Sequence, residues 1–246
     1  MSAENITEEE LTKERASKGL LEWVEAKMDQ IASTDKGETA IRLREDPLVK
    51  QLVEEVYILG IFASKKYGNT DTVYIKPIIG SQNYDAVVVD YSHSPAQTSY
   101  IEVTQAHEGE VEYLRTVYLQ KHGYVPVTGS IKKIGTKKTG LQVSTSLEAE
   151  SVDQAASREF QKIYDAIHRK EGKKYPPDTS LIVKFDDGPM FRRVADDNMI
   201  DTFVMKNIMG LDLRFSTLSL VGKFKKIFRH YDLIRSRGQI TRIITK

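Results

Sequence analysis

The sequence predicts an α/β protein with a mixed central sheet flanked by helices. Three neighbouring runs at 72–79, 85–91 and 99–106 are rich in Val, Ile and Tyr, and turn residues separate them, which is typical of an antiparallel meander. An amphipathic pattern at 151–170 then predicts a long helix, and the apolar run at 180–185 predicts a buried strand. Such a helix acts as a crossover, so we expect the last strand to lie parallel within the same sheet.

Helical patterns precede this predicted sheet. Residues 4–31 carry apolar side chains at helical spacing behind a capping box, and a polar break follows at 33–39. We therefore expect an N-terminal helical extension over residues 1–36 and an α/β domain over residues 37–246.

Further elements surround the predicted core. Asp46 followed by Pro47 predicts the start of a helix that ends at Gly68, because proline is tolerated at the first helical position. The remaining predicted elements are a helix at 108–122, an inserted β-hairpin within about 123–146, a helix at 196–209 and strands at 213–220 and 240–244.

Composition excludes several classes of site. The 246 residues include no cysteine, which excludes disulfides, cysteine-bound zinc and thiol catalysis. The acidic N-terminus lacks the basic and apolar regions of a secretory signal, and no apolar run approaches the roughly 20 residues that span a bilayer. We therefore expect a cytoplasmic protein without a membrane partner.

Positive charge is concentrated in two segments, although the net charge is only +1. Residues 222–246 hold eight basic residues and one acid, and the predicted hairpin carries Lys132, Lys133, Lys137 and Lys138. A basic face attracts the phosphate backbone of a nucleic acid, so these four lysines are the predicted nucleic-acid-binding residues. A solvated basic surface explains the same pattern, and so does a basic face buried in a homodimer.

Two acids on neighbouring predicted strands form the candidate chemical site. Asp85 opens the second strand of the meander, and Glu102 lies within the third. If the loop 92–97 closes symmetrically, Val87 faces Glu102, and Asp85 and Glu102 become diagonal neighbours about 7–8 Å apart on one face of the sheet. Two carboxylates at that separation can reach one divalent cation, and oxygen ligands of this kind suit Mg²⁺ or Mn²⁺.

The segments Asn83-Tyr84-Asp85 and Ile101-Glu102-Val103-Thr104 resemble the motif of the PD-(D/E)XK nuclease superfamily, which has a restriction-endonuclease-like core. The resemblance covers about residues 47–106, and the predicted helix and strand at 151–185 complete the helix–three strands–helix–strand order. It implies metal-dependent hydrolysis of phosphodiester bonds in DNA or RNA. It also implies that Asp85 and Glu102 bind the metal, with Glu55 as the extra acid that some members take from the first helix.

The sequence departs from that family pattern at two positions. No proline precedes Asp85, and Thr104 replaces the motif lysine that orients and activates the attacking water. Lys76 on the preceding strand or Gln105 is the predicted catalytic substitute. Without such a substitute, the chain would be a catalytically inactive nucleic-acid-binding or interaction protein on the same fold. A small-molecule enzyme or an assembly subunit is a third hypothesis.

Other polar residues have competing interpretations. His107 follows the third strand and is a candidate base, although a packing role explains it as well. Asp186-Asp187 ends a predicted buried strand and is either a second metal locus or part of a turn with Gly188-Pro189, and we favour the turn. The glycines match neither the dinucleotide-binding nor the P-loop spacing, so those nucleotide sites lack support.

Overall fold

The computed structural model describes residues 6–34, 36–107, 109–126, 129–135, 142–188 and 198–233. The strands are β1 Arg15–Ala16, β2 Val73–Pro77, β3 Ala86–Asp90, β4 Gln97–Gln105, β5 Ile131–Ile134, β6 Gln142–Thr145, β7 Thr179–Phe185, β8 Thr217–Gly222 and β9 Phe228–Asp232. The helices are α1 Glu8–Thr12, α2 Leu20–Ala32, α3 Gly37–Leu43, α4 Pro47–Gln51, α5 Tyr57–Lys66, α6 Gly109–His122, α7 Val152–His168 and α8 Asn198–Phe203.

A seven-stranded mixed sheet forms the centre of the protein, in the order β1-β2-β3-β4-β7-β8-β9. Strands β2, β3 and β4 form the predicted antiparallel meander, and β7 lies parallel to β4 after the crossover helix α7. Strand β8 is parallel to β7, and β9 returns antiparallel at the edge. The prediction of an α/β fold with a mixed central sheet and flanking helices is confirmed.

Each face of the sheet has its own hydrophobic core, because successive strand residues point to opposite sides. On one face, Ile75 and Ile101 pack in a cluster with Phe62 of α5 and residues of α2. On the other face, Val183 and Phe185 pack in a cluster with apolar residues of α7, α8 and the π-helical turn Val204–Ile208. The crossover helix α7 therefore covers the face of β4 that carries Glu102.

The N-terminal segment is more complex than the predicted single helix at 4–31, and that prediction is wrong. Helix α1 ends at Thr12, Arg15–Ala16 pairs with β2, and α2 begins only at Leu20. Gly19 caps α2 in the left-handed region with a φ of 86°, a conformation that glycine adopts without steric cost. Helix α2 packs closely on α5. A Cβ added at Gly60 of α5 would lie only 3.0 Å from the Leu21 Cα.

The remaining predictions have mixed outcomes. Asp46 caps α4 by accepting hydrogen bonds from the backbone N–H groups of Leu48 and Val49, as its place before Pro47 predicts. A π-helical turn, Leu52–Val56, joins α4 to α5. Helix α3 and strand β9 were not predicted. The apolar pattern of α3 is short and overlaps the polar break, and that of β9 is short and lies in the basic C-terminal segment.

The inserted hairpin is present as β5 and β6, which form a separate two-stranded sheet. The predicted tip spans residues 135–140, of which 136–140 lie outside the described residues, as does the predicted strand at 240–244. In the part of the chain that the structure describes, no helix has the combined length and apolar character needed to cross a bilayer.

Candidate functional site

Asp85 sits at the point where β3 begins beside β4. Its backbone N–H donates to the Ile101 carbonyl at 2.7 Å, and its Oδ2 accepts the backbone N–H of Val103 at 2.6 Å. Strand β3 starts only at Ala86, so the Asp85 carboxylate provides an acceptor for β4 where the backbone ladder with β3 stops. These two bonds fix the carboxylate against β4.

The pairing of β3 with β4 differs from the predicted register. Val87 pairs with Tyr100 rather than with Glu102, because the chain turns through residues 91–96 instead of 92–97. A two-residue shift preserves the face of every side chain, whereas a one-residue shift reverses it. Asp85 and Glu102 therefore remain on one face, and extension of the observed register places them opposite each other instead of diagonally.

Burial and like charge perturb Asp85. Burial and then the negative charges of Glu102 and Glu55 together raise the pKa of Asp85 to about 7, against the hydrogen bond from Val103 and the positive charge of Lys170. Burial also raises the pKa of Glu55, and Glu102 again contributes. Asp85 and Glu55 thus both respond to burial and to the charge of Glu102, and perturbed groups of this kind mark candidate functional sites.

Lys170 is the residue of this site that the sequence analysis missed. Its Nζ lies 2.5 Å from the Glu102 Oε1, and both side chains are largely buried, with exposures of 17% and 12%. Lys170 follows the C-terminus of α7, so the crossover helix delivers it to the face of β4 that carries Glu102. An ammonium group therefore occupies the neighbourhood that Thr104 leaves without a lysine.

Tyr175 adds a hydroxyl to this cluster from the segment after α7. Burial raises its pKa, and the negative charges of Glu102 and Asp85 raise it further. The phenol therefore stays protonated at neutral pH and can act only as a neutral donor or acceptor.

The other predicted site residues occupy different positions. Lys76 is exposed on β2, and its register partner Val87 places it on the face of Asp85. Gln105 donates from Nε2 to the Glu54 carbonyl at 3.3 Å, and strand alternation places it on the face opposite Glu102. Glu55 lies in the π-helical turn Leu52–Val56, which packs on the same face of the sheet as α5, and accepts a hydrogen bond from Gln51 at 3.0 Å.

The predicted nucleic-acid-binding lysines are only partly described. Lys132 and Lys133 are exposed on β5. Lys137 and Lys138 lie outside the described residues, as do Arg235, Arg237, Arg242 and Lys246 of the basic C-terminal segment. Nucleic-acid contact at these positions stays a prediction.

The donor set determines which cation could bind here. Within the described ranges, no cluster of three or more His, Asp or Glu side chains has the arrangement of a complete metal site. Asp85 and Glu102 nevertheless supply hard oxygen donors, and the raised pKa of Asp85 reflects its burial and then the negative charges of Glu102 and Glu55, which the charge of Lys170 opposes. This set fits Mg²⁺ or Mn²⁺, which are commonly bound by one or two carboxylates with water and substrate phosphate completing the shell.

Asp186 and Asp187 have structural roles in turns. Asp187 is fully buried, and its two oxygens accept the backbone N–H groups of Phe224, Lys226 and Ile227 at 2.8–3.1 Å. Asp186 accepts the Gly188 N–H at 2.9 Å. The turn interpretation is therefore confirmed for these two residues, while Pro189 lies outside the described chain.

The pKa of Asp85 predicts a pH dependence of stability. Below about pH 4 the group is protonated in both states, and between about pH 4 and 7 the folded protein keeps a proton that the unfolded chain releases. The free energy of unfolding contributed by Asp85 therefore falls as the pH rises through this range. We expect Asp85→Asn to remove this fall and to unfold at pH 8 with a free energy higher by about 2 kcal/mol.

Urea denaturation between pH 4 and 8 measures this effect. Asp90→Asn is the matched control, because hydrogen bonds from Ser92 lower the pKa of Asp90 and its stability contribution changes with the opposite sign. A pH profile of Asp85→Asn parallel to that of the wild type would contradict the assignment.

The fold and the site define a general class of protein, an α/β protein with a mixed sheet and a partly buried carboxylate–lysine cluster at the β3–β4 junction. Comparisons with family models, with curated proteins and with solved structures find no match. The assignment therefore stops at this class, and a more particular function is a proposal from the site itself.

Proposed function

We propose that the protein hydrolyses phosphodiester bonds of DNA or RNA with Mg²⁺ or Mn²⁺ as cofactor. The observation that carries this proposal is the cluster of Asp85, Glu102 and Lys170, in which two acids on neighbouring strands share one face with a buried ammonium group. The combination of two acids and a lysine matches the chemical content of the PD-(D/E)XK motif, although the lysine comes from a different part of the chain.

Each side chain has a role that follows from its position. Asp85 and Glu102 would hold the cation through carboxylate oxygens, with Glu55 as a further acid near the same site. A bound divalent cation supplies a bound water of lowered pKa and offsets negative charge on the phosphate. Lys170 keeps Glu102 oriented and presents a positive charge where a phosphate would gain negative charge, which replaces the function expected of a lysine at position 104.

The test is cleavage of end-labelled DNA and RNA, in single- and double-stranded form, with Mg²⁺, with Mn²⁺ and with a chelator. We expect metal-dependent cleavage by the wild type and its loss in Glu102→Gln, which keeps the size of the side chain and removes its charge. Lys173→Ala is the matched control, because Lys173 is exposed close to Lys170 in the chain. Cleavage by Glu102→Gln at the wild-type rate would refute the proposal.

A second candidate function is binding of nucleic acid without catalysis. The ion pair between Lys170 and Glu102 favours it, because this pair neutralises the carboxylate without any metal. Binding that weakens with salt, combined with no metal-dependent cleavage, distinguishes this function from the first.

Both functions predict a role for the exposed lysines of β5. We expect the double variant Lys132→Ala, Lys133→Ala to weaken nucleic-acid binding and to lower the slope of log affinity against log salt by roughly 2, because each phosphate contact contributes about 0.9 on duplex DNA. Fluorescence anisotropy over a range of salt concentrations measures both quantities. The control is the double variant Lys173→Ala, Lys206→Ala, which removes two exposed lysines elsewhere. An unchanged salt slope in the β5 variant would exclude this surface.

A further inference from the structure

A polar cleft lies at the ends of β4 and β7, apart from the cluster around Asp85. Its volume is about 970 Å³, and its walls come mainly from α6, α7 and residues 125–126 and 129–131. A smaller cavity of about 80 Å³ adds Lys184 and shares six wall residues with the cleft, namely His107, Glu112, Glu159, Lys162, Asp186 and Lys223. The two spaces adjoin along these residues, so we call them together the recess and the smaller one its inner end; neither is lined by Asp85 or Glu102.

Unsatisfied polar atoms are buried in the walls of this recess. Glu159 is only 2% exposed, and while its Oε1 accepts from Lys162 at 2.7 Å, its Oε2 has no partner. Three further wall atoms are buried without a partner, namely the Nδ1 of His107, the Oε2 of Glu150 and the Nε of Arg44. Buried polar atoms in native proteins are nearly always hydrogen-bonded, so the concentration of unpaired donors and acceptors in these walls is unusual and marks the recess as a candidate site.

The inner end of the recess favours an anion. Lys184 lines this end from β7, and its side chain makes neither a hydrogen bond nor an ion pair with any residue that the structure describes. Burial and then the nearby charges of Arg44 and Lys223 together lower its pKa to about 8, against the acids Glu54 and Glu112. Lys223 is itself exposed and lies 4.0 Å from Glu112, which is a loose contact. A bound anion would supply the counter-charge that Lys184 lacks.

The size of the inner cavity fits a compact anion. Its volume of about 80 Å³ is several times what one water requires and leaves room for a tetrahedral oxyanion. The outer cleft is of the size of pockets that hold small organic molecules.

We propose that this recess binds a phosphomonoester, with the phosphate between Lys184 and Lys223 and the organic part in the outer cleft against Glu159. The phosphate would come from a small metabolite or from the terminal phosphate of a nucleic-acid strand. The inference does not rest on catalysis at Asp85 and Glu102, so either can hold without the other.

Isothermal titration calorimetry with the full chain tests this site. The probes are inorganic phosphate, acetate, adenosine, adenosine 5′-monophosphate, and one oligonucleotide with and without a 5′-phosphate. We expect the monophosphate to bind at least tenfold more tightly than adenosine, and phosphate to bind where acetate does not. A gain for the 5′-phosphorylated oligonucleotide identifies a strand end as the source, and no gain identifies a small metabolite.

Two substitutions locate the binding. Lys184→Met and Lys223→Ala should each weaken binding of the monophosphate at least tenfold, while Lys206→Ala, at an exposed site on another helix, should leave it unchanged. Lys223 is exposed, so its replacement spares the fold even if Lys184→Met does not. Absence of binding by every phosphate probe would overturn the proposal, as would unchanged affinity in Lys223→Ala or equal binding of adenosine and its monophosphate.

Discussion

Lys170→Met is expected to lower the rate of metal-dependent cleavage by about 10²–10³-fold, the usual cost of removing one electrostatic group from a catalytic site. The Lys170 ammonium is the cation that touches Glu102, and methionine keeps the unbranched shape of the side chain without its charge. This prediction rests on the proposed nuclease function. Single-turnover cleavage with saturating Mn²⁺ measures the rate, and Lys173→Ala is the control.

The same substitution has a stability consequence that separates catalysis from folding. Removal of one partner from a buried ion pair leaves an uncompensated charge, so we expect Lys170→Met to lower the free energy of unfolding by about 3 kcal/mol. Adding Glu102→Gln removes that charge and should recover most of the stability but none of the activity. Recovery of both, or full activity in Lys170→Met, would show that Lys170 is only a structural partner of Glu102.

The sheet topology could be predicted because local pattern and topology rules agree there. Apolar residues with period two define β2, β3 and β4. The amphipathic pattern of α7 predicts a helix that packs on the sheet and leads the chain back into it at β7. The register of β3 with β4 could not be fixed in the same way, because it depends on whether the chain turns at 91–96 or 92–97. The error of two residues kept Asp85 and Glu102 on one face because the side-chain period of a strand is two.

The lysine of the site could not be predicted from spacing. Lys170 and Glu102 are 68 residues apart, and their contact depends on where the crossover helix ends relative to β4. Lys76 and Gln105 were candidates because they are near in sequence, yet Gln105 points to the other face and donates to Glu54. The only sequence signal for Lys170 is that a basic residue follows the end of an amphipathic helix. This feature is common, because a positive charge interacts favourably with the helix dipole at that end.

The largest effect on stability is expected at Asp187, two residues after the end of β7. Its buried carboxylate holds three backbone N–H groups of the turn between β8 and β9, those of Phe224, Lys226 and Ile227. Asp187→Ala leaves these donors without their acceptor in a buried site, so we expect a loss of about 3–5 kcal/mol in the free energy of unfolding. Urea denaturation measures the loss, and Asp186→Ala is the control, because Asp186 accepts one local bond from Gly188.

A second substitution tests the same contact from the opposite side. A Cβ at Gly222 would lie 2.1 Å from the Asp187 Oδ2, so Gly222→Ala must displace the carboxylate from the turn. We expect Gly222→Ala to cost less in the Asp187→Ala background than in the wild type, because the carboxylate is already absent and only the 2.9 Å approach to the Cβ of residue 187 remains. If Asp187→Ala instead costs less than about 1 kcal/mol, the stability of the turn does not depend on this carboxylate.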